Sequence, residues 1–434
     1  MKITEVEKNL VKKHIDEWNY GILQADLLEE EKNIMNNLVA NNYFIIYENK
    51  SYLPTPRANY PLLNIKSKNS EKVVNLRKQK TKIYSFSEFN QWKDCNMAYK
   101  IQRVDKVQQK PSAYSYYGTL AHDVFEDFIL NNTPLKESHK QFIKRLNRLK
   151  ELGLYLPRDS KGGTAIQDNW ESSLNDFFLR NSFNNKRTKS YRTEVEVFNE
   201  INNKYIVGFI DLLHYTRKEN GIFYVNIYDF KTSSMKTGER QKEDLLDKSR
   251  QLLLYKYLLE KTYPNIKVEN IGWDFMKYVK LVWKGKEIIY PRKDNYMLKM
   301  ENRIVKHLGE HQRSYVHDCL EQYEIPREVE DILQVKNCII NYEYTDKEIQ
   351  DIIDFVNSTA GDIENTLKVY NMTKDDKQLT TKDYDTDSFF CNNLCAFKNY
   401  CPKLKELGVT SLGKDVAQKT MLDILAKAKM RREK

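Results

Sequence analysis

The sequence predicts an α/β fold, and three observations carry that prediction. Residues 208–231, GFIDLLHYTRKENGIFYVNIYDFK, form two apolar runs joined at Asn220-Gly221, a strong local signal for a β-hairpin. Helical periodicity flanks them, in GTLAHDVFEDF upstream and RQLLLYKYLLE downstream. The order is therefore helix, three strands, helix, strand, with YRTEVEVFNE as the first strand. The 434 residues, 40% hydrophobic and 30% charged, suit a soluble globular chain of several domains.

Taken in order, residues 1–83 read as an N-terminal helical appendage with a basic linker. Ile3 to Val39 patterns as two amphipathic helices broken near Tyr20-Gly21. YFIIYENKSYL reads as a hairpin around Glu48-Asn49-Lys50, and PTPRANYPLL as a proline-marked linker. Lys66, Lys68, Lys72, Arg77, Lys78, Lys80 and Lys82 then face a single acid, Glu71, a composition that suits phosphate contact or a solvated connector. The core is expected over 84–290, with a helical insertion at about 133–188. Ser85 and Glu88 form a capping box, and the helix they open should run through Phe89 and Trp92 to Cys95 and Met97. Gly118, His122 and Glu126 recur at four-residue steps on the next helix. Two more helices, 136–151 and 169–183, precede the sheet.

In the hairpin, a three-residue loop with Gly221 left-handed would set Asp211 opposite Asp229, whereas a two-residue loop would send the two to opposite faces. A shared face therefore needs the longer loop or a bulge. Alternation puts Asp229 and Lys231 together and turns Tyr228 and Phe230 away. Two close carboxylates repel unless a cation lies between them, and Mg²⁺ or Mn²⁺ prefers such hard oxygen donors. Lys231 would then neutralise charge that develops on a phosphate, a centre suited to phosphodiester hydrolysis. Glu194 and Glu196 share a face of the preceding strand, and either could add a carboxylate. Gln251 and Tyr255 share a face of the helix at about 242–262, after which KVENIGWDFMKYVKLVWKGKEIIY reads as further strands turning at Gly285.

Residues 291–413 are expected to be mostly helical and to end in a cysteine cluster, and 414–434 to form a basic helix. Two short motifs here do not hold up as sites. His307, Glu310 and His311 match an inverted zinc-protease pattern without a third ligand, and Gly309 interrupts the helix. Asp383, Asp385 and Asp387 start like a calcium loop, but Ser388 and Leu394 replace its glycine and its bidentate acid. Cys391, Cys395 and Cys401 are spaced C-x3-C-x5-C, soft ligands suited to an iron–sulfur cluster or to zinc. Cys95 is the candidate fourth ligand, while Cys319 and Cys338 fit no motif.

The ordered set Gly-x-x-x-His, Gly-x-Ile-Asp, Asp-x-Lys, Gln-x-x-x-Tyr resembles the RecB-like branch of the PD-(D/E)XK nuclease superfamily. One cysteine before the core and three after it resembles that branch's iron–sulfur members, which include AddB-type subunits and CRISPR-associated exonucleases. Here Asn96 replaces the usual proline after the first cysteine, and the first gap of the triplet is one residue longer. The resemblance implies a restriction-endonuclease-like core, a central mixed sheet flanked by helices, with an iron–sulfur staple. It implies that His122, Asp211, Asp229 and the Phe230 carbonyl hold Mg²⁺ or Mn²⁺, that Lys231 is the catalytic lysine, and that Gln251 and Tyr255 support the site or touch DNA. It also implies a 4Fe–4S cluster (or Zn²⁺) on Cys95, Cys391, Cys395 and Cys401. The implied activity is a DNA exonuclease on ends or single strands, in recombination, repair or phage DNA metabolism, within the cytoplasm of a bacterium or phage-infected host. The alternative implied is a non-catalytic DNA-end-binding or assembly subunit of a helicase–nuclease or CRISPR-adaptation complex. A net charge of +10 is in keeping with a polyanionic partner, no apolar run suggests a membrane partner, and no G-x-x-x-x-G-K-[ST] segment supplies a motor, so a helicase would be a separate chain.

Overall fold

The computed structural model describes residues 3–59, 61–65, 68–107, 112–159, 161–183, 190–236, 239–375, 379, 391 and 395–407. They fall into two units, Met1–Phe86 with Ala113–Phe355, and Ser87–Ser112 with Val356–Lys434. The acidic run at 383–387 and the basic segment at 414–434 lie outside the described residues.

The first unit opens with α1 (Glu5–His14), where Thr4 and Glu7 cap each other's backbone reciprocally. A small antiparallel sheet, β1 (Ile22–Leu23), β2 (Phe44–Tyr47) and β3 (Ser51–Pro54), packs with α1 and α2 (Glu29–Ala40) around Val11, Met35, Phe44 and Tyr52. The basic linker contributes α3 (Glu71–Lys78) and a two-residue strand, β4 (Ile83–Tyr84). α4 (Phe86–Asp94) begins where its capping pattern places it. It stops before Cys95 rather than running to Met97, because Cys95 is extended and serves as the N-cap of a separate helix, α5 (Asn96–Tyr99).

Helices α6 (Ala113–Leu130), α7 (Leu135–Glu151) and α8 (Ala165–Arg180) interlock through Phe125, Phe128, Phe142, Phe177 and Phe178. Tyr228, Phe230 and Met276 of the sheet belong to the same cluster, so the helical insertion forms one layer of the core. Each such buried aromatic contributes about 2–3 kcal/mol of burial.

The main sheet comprises β4, β5 (Tyr191–Ile201), β6 (Lys204–Glu219), β7 (Ile222–Lys231), β8 (Ile266–Trp283), β9 (Lys286–Pro291) and β10 (Leu333–Tyr342). Its order is β10-β8-β7-β6-β4, with β5 on β6 and β9 on β8. It is a mixed sheet: β4 with β6 and β7 with β8 run parallel, the other pairs antiparallel. The parallel β7–β8 pair needs a crossover, and α9 (Glu239–Thr262) supplies it. The region expected to be mostly helical does contain α10 (Glu301–Leu308), α11 (Arg313–Glu321) and α12 (Asp346–Thr373). It also contains β10, which corrects the helical reading. LQVKNCIINY is short and finds its backbone partners on β8, a pairing no local pattern announces.

Candidate active site

The β6–β7 turn is a two-residue loop, with Asn220 and Gly221 both left-handed at φ 48° and 82°. Next to the turn Glu219 pairs with Ile222 and Arg217 with Tyr224, a register that carried on would misalign the two aspartates. Thr216 is an extra residue: beyond it Tyr215 pairs with Val225 and Leu212 with Tyr228. Asp211, one step further, therefore stands level with Asp229. Of the two routes to a shared face, the chain takes the bulge. A second register shift follows on β8 between Val225 and Asn226, where Glu269 is the extra residue. Glu269 Oε2 accepts from the Thr216 hydroxyl at 2.8 Å, and Arg217 pairs with Oε1, so the two irregularities are tied together.

At the open end of the hairpin, Asp211 Oδ2 accepts from Phe230 N–H at 3.0 Å. His122 reaches in from α6, its Nε2 3.2 Å from Phe230 O and its Nδ1 3.5 Å from Asp211 Oδ2. A carbonyl only accepts, so Nε2 carries the proton and Nδ1 presents a lone pair to a carboxylate. Two acceptors face each other stably only with a proton or a cation between them. Burial, then the charge of Asp229, raises the Asp211 pKa well above the usual carboxylate range. Burial lowers that of His122. Burial also works against the Lys231 ammonium, but Asp229, which it contacts, outweighs this and raises its pKa.

Gln251 and Tyr255 meet this site from α9. Gln251 Nε2 donates to Tyr255 Oη at 3.2 Å, and that hydroxyl also bonds the backbone of Phe209. Burial pushes the Tyr255 hydroxyl up to about 12. Gly208 makes room for the ring: a methyl there would stand 2.2 Å from Tyr255 Cε1. The glycine of the Gly-x-Ile-Asp motif thus admits the tyrosine of the Gln-x-x-x-Tyr motif. Gly118 is not crowded in this way: a methyl there would meet only Thr232 Oγ1, at an ordinary 3.9 Å.

A comparison with protein families matches residues 83–402 to the PD-(D/E)XK nuclease superfamily. The chain belongs to that superfamily. Among curated proteins, it is 47% identical over 47 residues to the Gene 69 protein of Mycobacterium phage D29, an overlap of 11% of this chain and 18% of the phage protein. Among solved structures, a candidate exonuclease from Eubacterium rectale aligns over 63% of this chain and 91% of its own, at 11% identity and a TM-score of 0.30.

Within this PD-(D/E)XK chain, two carboxylates, an imidazole and a carbonyl are donors that suit Mg²⁺ or Mn²⁺. Asp229 Oδ2 is buried and in ion-pair contact with the Lys231 ammonium. The side chains do not themselves form a cage: among the described residues, no group of three or more His, Cys, Asp or Glu is arranged to hold a metal. Of the two strand glutamates, Glu194 is felt electrostatically by Asp211 and His122. Glu196 instead accepts from Ser70 N–H at 2.8 Å. Lys68, read in sequence only as one of a basic run, has its Nζ 3.2 Å from both Glu126 and Glu194; no spacing rule links a linker lysine to residues so far along the chain. Glu310 of the rejected zinc pattern is held by both ends of the Arg313 guanidinium.

The second unit contains all four candidate thiols, Cys95, Cys391, Cys395 and Cys401. Cys95 Sγ accepts from Ala98 N–H at 3.4 Å. Cys395 and Cys401 flank the helical turn Lys398–Tyr400. Burial, together with the charges of Cys95 and Cys401, raises the Cys395 pKa, so these three thiols lie within electrostatic reach despite the three hundred or so residues between the first and the others. Soft thiolates of this kind fit an iron–sulfur cluster or zinc.

Proposed function

We propose that this protein is a metal-dependent deoxyribonuclease of the RecB-like branch, acting on DNA ends or single strands. The observation that supports this most is the Thr216 bulge, which sets Asp229 level with Asp211 beside His122 and Lys231. In this reading His122, Asp211, Asp229 and the Phe230 carbonyl would hold one or two Mg²⁺ or Mn²⁺ ions. Bound there, the metal would polarise the scissile phosphate and lower the pKa of an attacking water. Lys231, kept protonated by Asp229, holds positive charge where the phosphoryl oxygens become more negative. His122, kept neutral by burial, offers Nδ1 as a ligand and is oriented by its Nε2–H bond to Phe230 O. Gln251 and Tyr255 anchor α9 to the backbone of β6 and so hold Asp211 in place. Cys95, Cys391, Cys395 and Cys401 would carry a 4Fe–4S cluster that staples the second unit, with zinc as the other occupant the thiolates suit.

The test is degradation of single-stranded and duplex DNA with Mn²⁺ by wild type, Asp229→Ala and Lys231→Ala. Each substitution should reduce the rate at least a hundredfold, as for groups that stabilise transition-state charge. Equal degradation by all three would remove the catalytic assignment. DNA binding without cleavage by the wild type would point to an end-binding subunit.

A further inference from the structure

Lys277 is an ammonium without a counter-charge. It lies on β8 just past the end of β7, where Lys231 pairs with Phe275. Its side chain is half-buried, and its one polar partner among the described residues is the Ser234 hydroxyl, 3.0 Å from Nζ. Four other partly buried lysines of this sheet and of α9 have carboxylates: Lys231 has Asp229, Lys248 has Asp244, Lys256 has Glu260 and Lys280 has Glu287. An ammonium partly removed from water costs stability unless an anion compensates it, and burial accordingly lowers the Lys277 pKa.

The surroundings hold this charge in a fixed place. Lys277 O accepts from Arg292 N–H at 2.8 Å, and the neighbouring Tyr278 Oη accepts from Met235 N–H at 3.1 Å. The segment leaving the catalytic strand is therefore clamped to β8 at two successive residues. Ser234 itself is exposed, so the ammonium sits at the surface end of a buried stem. Ser234 follows Lys231 by three residues, at most about 11 Å of extended chain. Lys236 and Arg240 line an adjoining cleft of about 490 Å³ with Met235 and Glu243.

We infer that Lys277 and the Ser234 hydroxyl form a phosphate subsite that takes a backbone phosphate of single-stranded DNA adjoining the one at Asp211 and Asp229. This rests on the nuclease reading for its substrate. The lysine supplies charge, the hydroxyl supplies a donor, and neither reads a base, so the subsite positions the strand without sequence preference.

The experiment is equilibrium binding of a fluorescent single-stranded oligonucleotide to the full chain in chelator, over a salt series, for wild type, Lys277→Met and Lys277→Arg. Lys277→Met should weaken binding several-fold and reduce the slope of log affinity against log salt by about 0.7, the value for one phosphate contact on a single strand. Lys277→Arg should restore both. Loss of an uncompensated charge should also raise the thermal midpoint of Lys277→Met, which separates this effect from misfolding. In turnover, KM should rise with kcat largely kept. An unchanged slope and affinity in Lys277→Met, or no oligonucleotide binding by wild type, overturns the inference. Binding that follows these expectations without cleavage leaves the subsite standing and removes the nuclease reading alone.

Discussion

Asp274 shows at the scale of one residue how this fold manages charge. It is fully buried on β8, with Asn337 Nδ2 donating to one oxygen at 2.9 Å and the other oxygen unpartnered. Burial pushes its carboxyl up to about 6 from an ordinary 3.8, against the pull of Arg292. The folded state thus binds this proton more tightly than the unfolded chain does. The stability it contributes is fully present below pH 4 and is lost as pH rises through 6. Asp274→Asn should therefore be the more stable protein at pH 7.5, by about 1–3 kcal/mol, with the gap closing near pH 4. Urea unfolding midpoints against pH measure this; parallel curves for the two proteins would refute it. The neighbouring Arg292 is as deeply buried, but it bonds Asp176 at 2.6 Å and the Tyr278 carbonyl at 2.9 Å. It ties α8 to the sheet where Asp274 leaves one oxygen unpaired.

Between elements, the deciding contact is that of β6 with α9. The Gly208–Tyr255 packing makes both motifs one object, since no side chain fits at 208 while the ring stays. Gly208→Ala should cost roughly 1–3 kcal/mol, as overpacking does, and move Asp211 with its strand. Adding Tyr255→Leu should recover much of the stability, because the clash is with the ring, but not the cleavage. Thermal melts of the two single variants and the double variant test this, and additive losses would show that the two positions act separately. The paired irregularities at Thr216 and Glu269 work on the same scale. A glycine-containing turn sets the hairpin in motion, but a side chain on the neighbouring strand holds the extra residue that sets its register.

Across the whole molecule, the candidate chemistry is divided between the two units. The carboxylates, His122 and Lys231 lie in the first, the four cysteines in the second. A cluster on the cysteines would therefore stabilise the second unit. Protein purified anaerobically should be brown, absorbing near ~400 nm. Cys95→Ala should lose the colour and melt at a lower temperature, because a site absent from the unfolded chain contributes its binding energy to folding. A colourless wild type containing zinc would assign zinc instead. The described residues include no helix long and apolar enough to cross a membrane.

The local chemistry of the chain determined much of this on its own. Asn220-Gly221 with its apolar flanks fixes a hairpin, the four-residue steps of α6 and α9 fix helices, and the order of elements fixes an α/β chain that the family comparison places among PD-(D/E)XK nucleases. These features depend on neighbours in sequence, so they can be read there. What remained open was register. Whether Asp211 and Asp229 share a face turned on one bulged residue, held by a glutamate from another strand. β4 and β10 exist because β6 and β8 offer them backbone partners, and the helix at Cys95 breaks where a longer reading would have carried it on. Lys68 on Glu126 and Glu194, and Lys277 on Ser234, are likewise meetings of distant residues. Periodicity tells a segment which face is apolar; only the packed sheet decides which residue of one strand stands opposite which residue of the next.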